Sequence, residues 1–333
     1  MIRRREQLEN FLSKTEFAGA QLQPLAGDAS ARSYVRANIS TGQAMVMDTP
    51  AEGENFPAFV QVAEYLQGNG YSAPQILARN MQEGFLLLED FGDDSFTKIL
   101  NSTIDKQETL YSAAIDLLTK WHSLDAKNLS LPFYDEELYL REVSLFPDWF
   151  LPQIMNVEQS SQLRAEYMEI WRDILRSFPL AKNIFVHRDF HADNLMWLSE
   201  RTGVKRIGLL DFQDAVIGDP AYDVVSLLED ARRDVPQGLT DLMIEKYLNH
   251  TGQDREHFLS AYNILGAQRN SKIIGIFVRL AVRDGKQNYL KLLPRVWKHL
   301  ERDIRHPLLK KLNDWLSKYV ADEFRGEIAL CRE

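Results

Sequence analysis

Residues 186–194 read V-H-R-D-F-H-A-D-N, and residues 209–214 read L-L-D-F-Q-D. Asn194 follows Asp189 by five positions, and Asp211 follows Asn194 by 17. Phosphoryl transfer from a nucleotide uses an Asp that accepts the proton of the attacking hydroxyl, and an Asn and a second Asp that hold Mg²⁺ against the phosphates. The order and spacing therefore predict that Asp189 is a catalytic base and that Asn194 and Asp211 bind Mg²⁺.

Short apolar runs flank both motifs, at residues 184–186, 195–198 and 206–210. Runs of this length between polar segments predict a hairpin of short strands with functional groups on its loops. An isolated H-x-D or D-F would indicate nothing, but the ordered set with its apolar flanks rarely arises by chance.

The first motif resembles the H-G-D-x-H-x-x-N loop of aminoglycoside phosphotransferases and of the related choline-kinase-like small-molecule kinases. Its second histidine, His191, and the G-D-P-x-x-D sequence at residues 218–223 are also similar to that family. The resemblance implies an α+β, two-lobed, protein-kinase-like fold. A small β-rich N-terminal lobe is expected at residues 1–90. A larger, mostly helical C-terminal lobe, with the catalytic loop, metal site and acceptor site, is expected at residues 91–333.

Composition limits the classes of partner. The net charge is −9 and the only cysteine is Cys331. Nucleic acid is therefore not expected as a partner, because its phosphates require a concentrated basic face. No apolar run reaches the ~18 residues that suggest a membrane span, and the N-terminus does not read as a signal peptide. We expect a cytoplasmic protein without an obligate protein partner.

A kinase-like nucleotide site has candidate residues in the first 50 positions. Residues 27–30, G-D-A-S, read as a turn whose Ser30 could contact the β-phosphate, although turns of this composition are common. Kinases place a phosphate-binding Lys on the next strand, where this chain has Met47. Arg32 is the first candidate to replace that Lys, and Arg36 is the second.

The inter-lobe hinge of such a kinase is expected where an apolar strand enters an acidic bend, L-L-E-D-F-G at residues 87–92. Backbone groups of Glu89, Asp90 and Phe91 are expected to pair with adenine. The side chains of Met47 and Leu88 are expected to line its faces.

An acceptor site is predicted in the aromatic stretch at residues 139–150, because a sugar site combines flat aromatic faces with a few directed polar groups. Packing in the hydrophobic core is the competing interpretation of these aromatics. The residues expected at the acceptor are Arg141, Glu142, Trp149, His191, Gln213, Asp214 and Arg283.

Further motifs narrow the resemblance to the bacterial anomeric N-acetylmuramate/N-acetylglucosamine kinases of peptidoglycan recycling, a subgroup that tends to lack the strand lysine. They lie at residues 27–30, 32–36, 140–150, 265–270, 274–280 and 293–296. This resemblance implies ATP- and Mg²⁺-dependent phosphorylation of the sugar C1 hydroxyl, with a product that feeds UDP-sugar synthesis. The carboxylate of N-acetylmuramate would then require a cation, for which Arg141 and Arg283 are candidates.

Two alternatives remain at the level of the sequence. The chain could be an aminoglycoside or other small-molecule O-phosphotransferase, although a polycationic substrate calls for a pocket rich in Asp and Glu. It could also be a pseudokinase that binds nucleotide without turnover, because the strand lysine is missing.

Overall fold

A computed structural model of the chain describes residues 2–25, 32–49, 56–124, 126, 129–156 and 161–328. The chain divides into two compact units. The first unit comprises residues 1–107 and 192–214, and the second comprises residues 108–191 and 215–333. The chain therefore enters the first unit a second time between His191 and Ala192, and leaves it after Asp214.

This division does not coincide with the predicted boundary between residues 90 and 91. The chain beyond residue 91 remains bound to the first unit, because the backbone carbonyl of Asp94 accepts the N–H of Trp197 at 2.8 Å. Ser95 also forms an isolated β-bridge with Met196. These backbone contacts explain why residues 192–214 belong with the N-terminal part of the chain.

The first unit is built on a five-stranded antiparallel sheet in the order β1-β2-β3-β5-β4. Its helices and strands are α1 (Ile2–Leu12), β1 (Gln21–Pro24), β2 (Ser33–Ile39), β3 (Gly42–Asp48), α2 (Phe56–Gly68), β4 (Ile76–Asn80), β5 (Phe85–Glu89), α3 (Phe96–Ser102), β7 (Leu195–Trp197) and β8 (Ile207–Leu209).

The two faces of this sheet carry different residues, because side chains alternate along a strand. Ala44 and Val46 of β3 and Phe85 of β5 belong to one apolar cluster with Leu8 and Phe11 of α1. Residues paired across strands share a face, so the opposite face carries Met47 beside Leu86 and Met45 beside Leu88.

Strands β7 and β8 form an antiparallel hairpin in which Leu195 is paired with Leu209. The hairpin predicted for the second and third apolar runs is therefore confirmed. The middle of β8 has no room for a side chain, because a Cβ on Gly208 would lie 2.6 Å from the ring of Phe91. The ring of Phe91 thus packs directly on the backbone of the hairpin.

The second unit is mostly helical. Its helices and strands are α4 (Gln107–Trp121), α5 (Glu136–Val143), a π-helical turn (Phe146–Phe150), α6 (Leu151–Ile154), α7 (Ser161–Ser177), β6 (Ile184–Val186), β9 (Val216–Gly218), α8 (Ala221–Leu228), α9 (Gln237–Thr251), α10 (Arg255–Arg283), α11 (Leu293–Asp303) and α12 (Lys310–Tyr319).

Strand β6, the first of the three apolar runs, pairs with β9 and is not part of the predicted hairpin. No helix in the described ranges has both the length and the apolar character needed to cross a membrane.

Helix α10 is the central helix of the second unit's core. Asp254 caps its N-terminus by accepting the N–H of His257 at 2.8 Å. Its residues Ile274, Phe277 and Val278 join a large apolar cluster with α7, α11 and α12. Gly275 permits a close approach of the backbone, because a Cβ there would lie 2.3 Å from the carbonyl of Leu145.

We expect Gly275→Ala to destabilise the chain by roughly 1–3 kcal/mol, because an added methyl group must displace backbone in a close-packed core. Gly238→Ala is the matched control. It is also a helical glycine, and its added Cβ would meet no heavy atom of the described residues within 4 Å. Urea unfolding of both variants measures the difference, and equal stability of the two would contradict this packing argument.

Candidate active site

The two predicted metal ligands lie at the same end of the β7–β8 hairpin. Asn194 immediately precedes β7, and its carbonyl accepts the N–H of Leu210 at 3.0 Å. Asp211 is the next residue, and its backbone is left-handed with φ of 60°. Residues other than glycine rarely adopt this backbone conformation, although Asp does so more readily than most. The structure therefore brings Asn194 and Asp211 together.

The carboxylate of Asp211 is accessible and has polar neighbours. Its side chain is 49% exposed, and the guanidinium of Arg32, 6% exposed, lies 3.8 Å from Oδ1. Gln213, also buried, donates from Nε2 to the same oxygen at 2.9 Å. Mg²⁺ typically takes one or two carboxylates and completes its shell with phosphates and water. One exposed carboxylate beside an Asn fits that requirement.

Arg32 and Arg36, the two candidates to replace the missing lysine, have different environments. Arg36 pairs with Asp90, donating to Oδ1 at 3.2 Å, and with Asp93 at 2.9 Å. These carboxylates raise the pKa of Arg36 further above its usual value. Arg36 therefore fixes the segment after β5, whereas Arg32 lies beside the predicted metal ligand Asp211. Of the two, the structure favours Arg32.

The predicted adenine residues fall into two groups. Met47 and Leu88 are buried on the sheet face opposite α1, and their partly exposed neighbour Met45 was not predicted. The alternation of side chains along a strand could have identified Met45, since it shares a face with Met47. The prediction for the backbone of Glu89 is partly wrong, because its N–H donates to the carbonyl of Gln75 at 2.8 Å within the sheet.

The remaining nucleotide predictions are less constrained. The carboxylate of Glu89 pairs with Arg201, whose guanidinium also lies 5.3 Å from the ring centre of Phe91. Asp90 uses its side chain to bind Arg36, so only its backbone remains a candidate for adenine. Ser30 lies outside the described residues.

Residues 186–191 of the predicted catalytic loop belong to the second unit, where a buried carboxylate holds the backbone. Asp223 of α8 accepts the N–H groups of His187 and Arg188 at 2.8 and 2.9 Å. Burial raises the pKa of Asp223, the two N–H groups lower it and the charge of Asp189 raises it, giving a value of about 7. The last residue of the G-D-P-x-x-D segment thus holds the backbone of residues 187–188.

Asp189 is surrounded by positive charge within the second unit. Burial alone would raise its pKa, but the charges of Lys272, His191, Arg188 and Arg269 lower it to about 2. The carboxylate is therefore ionised at neutral pH. A carboxylate of such low basicity can accept a hydrogen bond from a hydroxyl but does not remove the proton of a free alcohol.

Glu142, predicted to bind the acceptor, is instead the centre of a buried polar cluster. It pairs with Arg188 and with Lys272, whose Nζ lies 2.9 Å from Oε1. It also accepts from Tyr134 and, at 3.0 Å, from Gln268. Burial would raise the pKa of Glu142, but Lys272, Arg188 and these hydrogen bonds lower it to about 2.

Lys272 was not among the predicted residues. A lysine within a long helix ordinarily indicates a solvent-facing position, so only its place two residues after the motif at residues 265–270 could have suggested a role.

The other predicted acceptor residues lie in different environments. His191 is buried, with Nε2 3.4 Å from Arg232, and burial lowers its pKa. Trp149 packs against the hydrophobic core, as the competing interpretation held. Arg141 and Asp214 are exposed. Arg283 is exposed at the end of α10 and pairs with Asp284 at 2.7 Å, so the structure lends no support to its acceptor role.

Solved structures of similar fold come from small-molecule kinases. A choline kinase from Streptococcus pneumoniae superposes with a TM-score of 0.63 over 94% of this chain and 99% of its own, at 14% identity. An ADP-bound aminoglycoside phosphotransferase gives 0.57 over 90% and 96%, at 16% identity. At these identities the likeness concerns the fold alone, and it confirms the predicted α+β, two-lobed, kinase-like architecture.

Sequence comparison is more specific. Proteins named N-acetylmuramate/N-acetylglucosamine kinase match from Caulobacter vibrioides, at 34% identity over 95% of this chain and 96% of the relative, and from Pseudomonas aeruginosa, at 36% over 91% and 89%. The phosphotransferase enzyme family matches residues 21–259. Since this match covers most of the chain, the protein belongs to the phosphotransferase enzyme family.

Proposed function

We propose that this phosphotransferase is an ATP- and Mg²⁺-dependent kinase that phosphorylates the C1 hydroxyl of N-acetylmuramate and N-acetylglucosamine. The observation that carries the proposal is that four relatives with this name are 32–36% identical over 90% or more of the chain. The sugar 1-phosphates would serve UDP-sugar synthesis during recycling of cell-wall material. The cytoplasm is the proposed location, because ATP is available there.

Asp189 is the proposed catalytic residue. Its ionised carboxylate accepts the hydrogen bond of the C1 hydroxyl and directs that oxygen towards the γ-phosphorus. The oxygen–phosphorus bond forms as the bond to the β–γ bridging oxygen breaks, and the proton passes to Asp189. An anomeric hydroxyl is more acidic than an ordinary alcohol, so a carboxylate with a pKa of about 2 suffices to orient it and accept its proton late.

Asn194 and Asp211 are the proposed holders of Mg²⁺, which neutralises charge on the phosphates when it is bound. Their common position at one end of the hairpin supports this role. Arg32 is proposed to bind phosphate oxygens in place of the missing lysine, because a guanidinium can hold two oxygens at once.

The acceptor contacts remain proposals at four positions. His191 and Gln213 are buried and polar, and each follows a catalytic or metal residue by two positions. Asp214 and Arg141 are exposed, so they could contact the sugar only from the periphery of a site. Aminoglycosides are the alternative acceptors, and the same assay measures their turnover.

Incubation with ATP, Mg²⁺ and each sugar should give a phosphate whose ³¹P NMR signal couples to the anomeric proton. Methyl glycosides of the same sugars should not react, because their C1 oxygen is blocked. Asp189→Asn should keep nucleotide binding and lose roughly 10²–10⁴-fold in turnover. Phosphate at C6, reaction of a methyl glycoside, or preferred turnover of kanamycin-like aminoglycosides or choline would overturn the proposal.

Asp211→Ala should abolish the Mg²⁺-dependent rise in melting temperature that an ATP analogue gives to the wild-type chain, because the charged ligand is lost. Asp214→Ala is the matched control, since Asp214 is an exposed carboxylate three positions away. Thermal melts with and without Mg²⁺ make the comparison. Equal Mg²⁺-dependent shifts for Asp211→Ala and the wild type would show that Asp211 is not a ligand.

Arg32→Ala should raise the KM for ATP or lower kcat by about tenfold or more, because one phosphate contact is removed. Arg79→Ala serves as the control, since Arg79 is an exposed arginine of the same unit that pairs with Glu64 at 3.3 Å. Steady-state kinetics at varied ATP distinguish the two. Unchanged ATP kinetics in Arg32→Ala would leave backbone N–H groups as the phosphate contacts.

A further inference from the structure

Arg188 has an unusual backbone for its residue type. Its φ is 75°, in the left-handed region that a long side chain rarely occupies. A residue held in such a conformation persists only where its surroundings fix it, and such residues occur often at active sites. Arg188 immediately precedes Asp189, so whatever fixes Arg188 also sets the position of the Asp189 carboxylate.

The backbone of Arg188 is fixed from α8. Its N–H donates to Asp223 at 2.9 Å, and its carbonyl accepts the hydroxyl of Ser226 at 3.4 Å. Its guanidinium pairs with Glu142 of α5 and lies 5.4 Å from the ring centre of Tyr134, which precedes that helix. The backbone and the side chain of Arg188 are thus held by two different helices.

Lys272 of α10 completes the side-chain anchor. Its ammonium lies 2.9 Å from Oε1 of Glu142 and is largely enclosed, with 13% of its side chain exposed. Two cations thus share one carboxylate, and the excess positive charge is balanced by Asp189, on which Lys272 exerts the leading charge interaction. The four charges of Glu142, Arg188, Lys272 and Asp189 sum to zero, and removing one partner of such a buried set leaves an uncompensated charge.

We propose that Glu142 and Lys272 are positioning residues, which together with Arg188 form a charge clamp that directs Asp189 for phosphoryl transfer. Neither residue contacts the nucleotide or the metal in this proposal, and Glu142 does not contact the acceptor. The clamp rests on the proposed catalytic role of Asp189, but not on the identity of the acceptor.

The test compares Glu142→Gln, Lys272→Met, the double variant E142Q/K272M, and Lys272→Arg. Lys246→Met is the matched control, because Lys246 is also a partly buried lysine of the second unit and pairs with Asp116 at 2.7 Å. Steady-state kinetics are measured with an acceptor that the wild-type chain phosphorylates, whether one of the two sugars, an aminoglycoside or choline. An error in the proposed sugar therefore leaves this test intact.

Each of Glu142→Gln and Lys272→Met should lower kcat by about 10- to 100-fold, because a small displacement of a catalytic group is sufficient for such a loss. The KM for ATP should stay within about twofold. Lys272→Arg should retain most of kcat, since it preserves the charge. The double variant should turn over faster than Glu142→Gln, because removing both charges restores neutrality. Lys246→Met should resemble the wild type.

Hydrogen exchange of the peptide that contains residues 186–191 supplies a readout that needs no substrate. Exchange there should be faster in Glu142→Gln and Lys272→Met than in the wild type or Lys246→Met. Three results would overturn the clamp. They are a wild-type kcat in Lys272→Met, a fold-loss of kcat in the double variant equal to the product of the two single fold-losses, and a lost turnover with unchanged hydrogen exchange of residues 186–191. Absence of turnover by the wild type with every acceptor would count against the proposed function alone.

Discussion

The loop that carries the proposed catalytic residue Asp189 is held at one end by a single buried carboxylate. Asp223 accepts the N–H groups of His187 and Arg188, and every residue of its short helix α8 is buried. Burial makes ionisation of this carboxyl costly, which is why its pKa is raised to about 7. Two charge-assisted hydrogen bonds from the backbone offset part of that cost. The backbone of the loop is thus held by α8 in the protein interior, and the side chain of Arg188 adds a second contact through Glu142.

Positive charge is distributed differently here from the arrangement expected of a kinase with a strand lysine. Met47 is apolar and buried at the position where that lysine would lie, whereas Arg32 approaches Asp211 from the start of β2. In the second unit, Lys272 and Arg188 offset the charges of Glu142 and Asp189. Positive charge is thus supplied by arginine and lysine side chains at positions other than that of the strand lysine. The absence of the strand lysine therefore does not by itself imply an absence of activity.

The short motifs were predictable because their chemistry depends on neighbours in the chain. Asn194 and Asp211 were expected near each other from a hairpin pattern, and the hairpin is present. Partners distant in sequence were not predictable. Nothing local to Arg36 indicates that it binds Asp90, 54 residues away, and nothing in helix α10 indicates that Lys272 meets Glu142. The sequence left the role of Trp149 open, since an aromatic pattern alone does not separate core packing from ligand contact.

Two parts of the first unit that pack together are synthesised at widely separated times. The five-stranded sheet is complete once residue 89 has been made, but the ring of Phe91 packs on Gly208, which the ribosome adds more than 100 residues later. Until then an aromatic surface of the first unit has no cover, and exposed apolar surface favours aggregation of incomplete chains. A fragment ending at residue 107 would retain that uncovered surface permanently. Expression of the first unit by itself should therefore include residues 192–214.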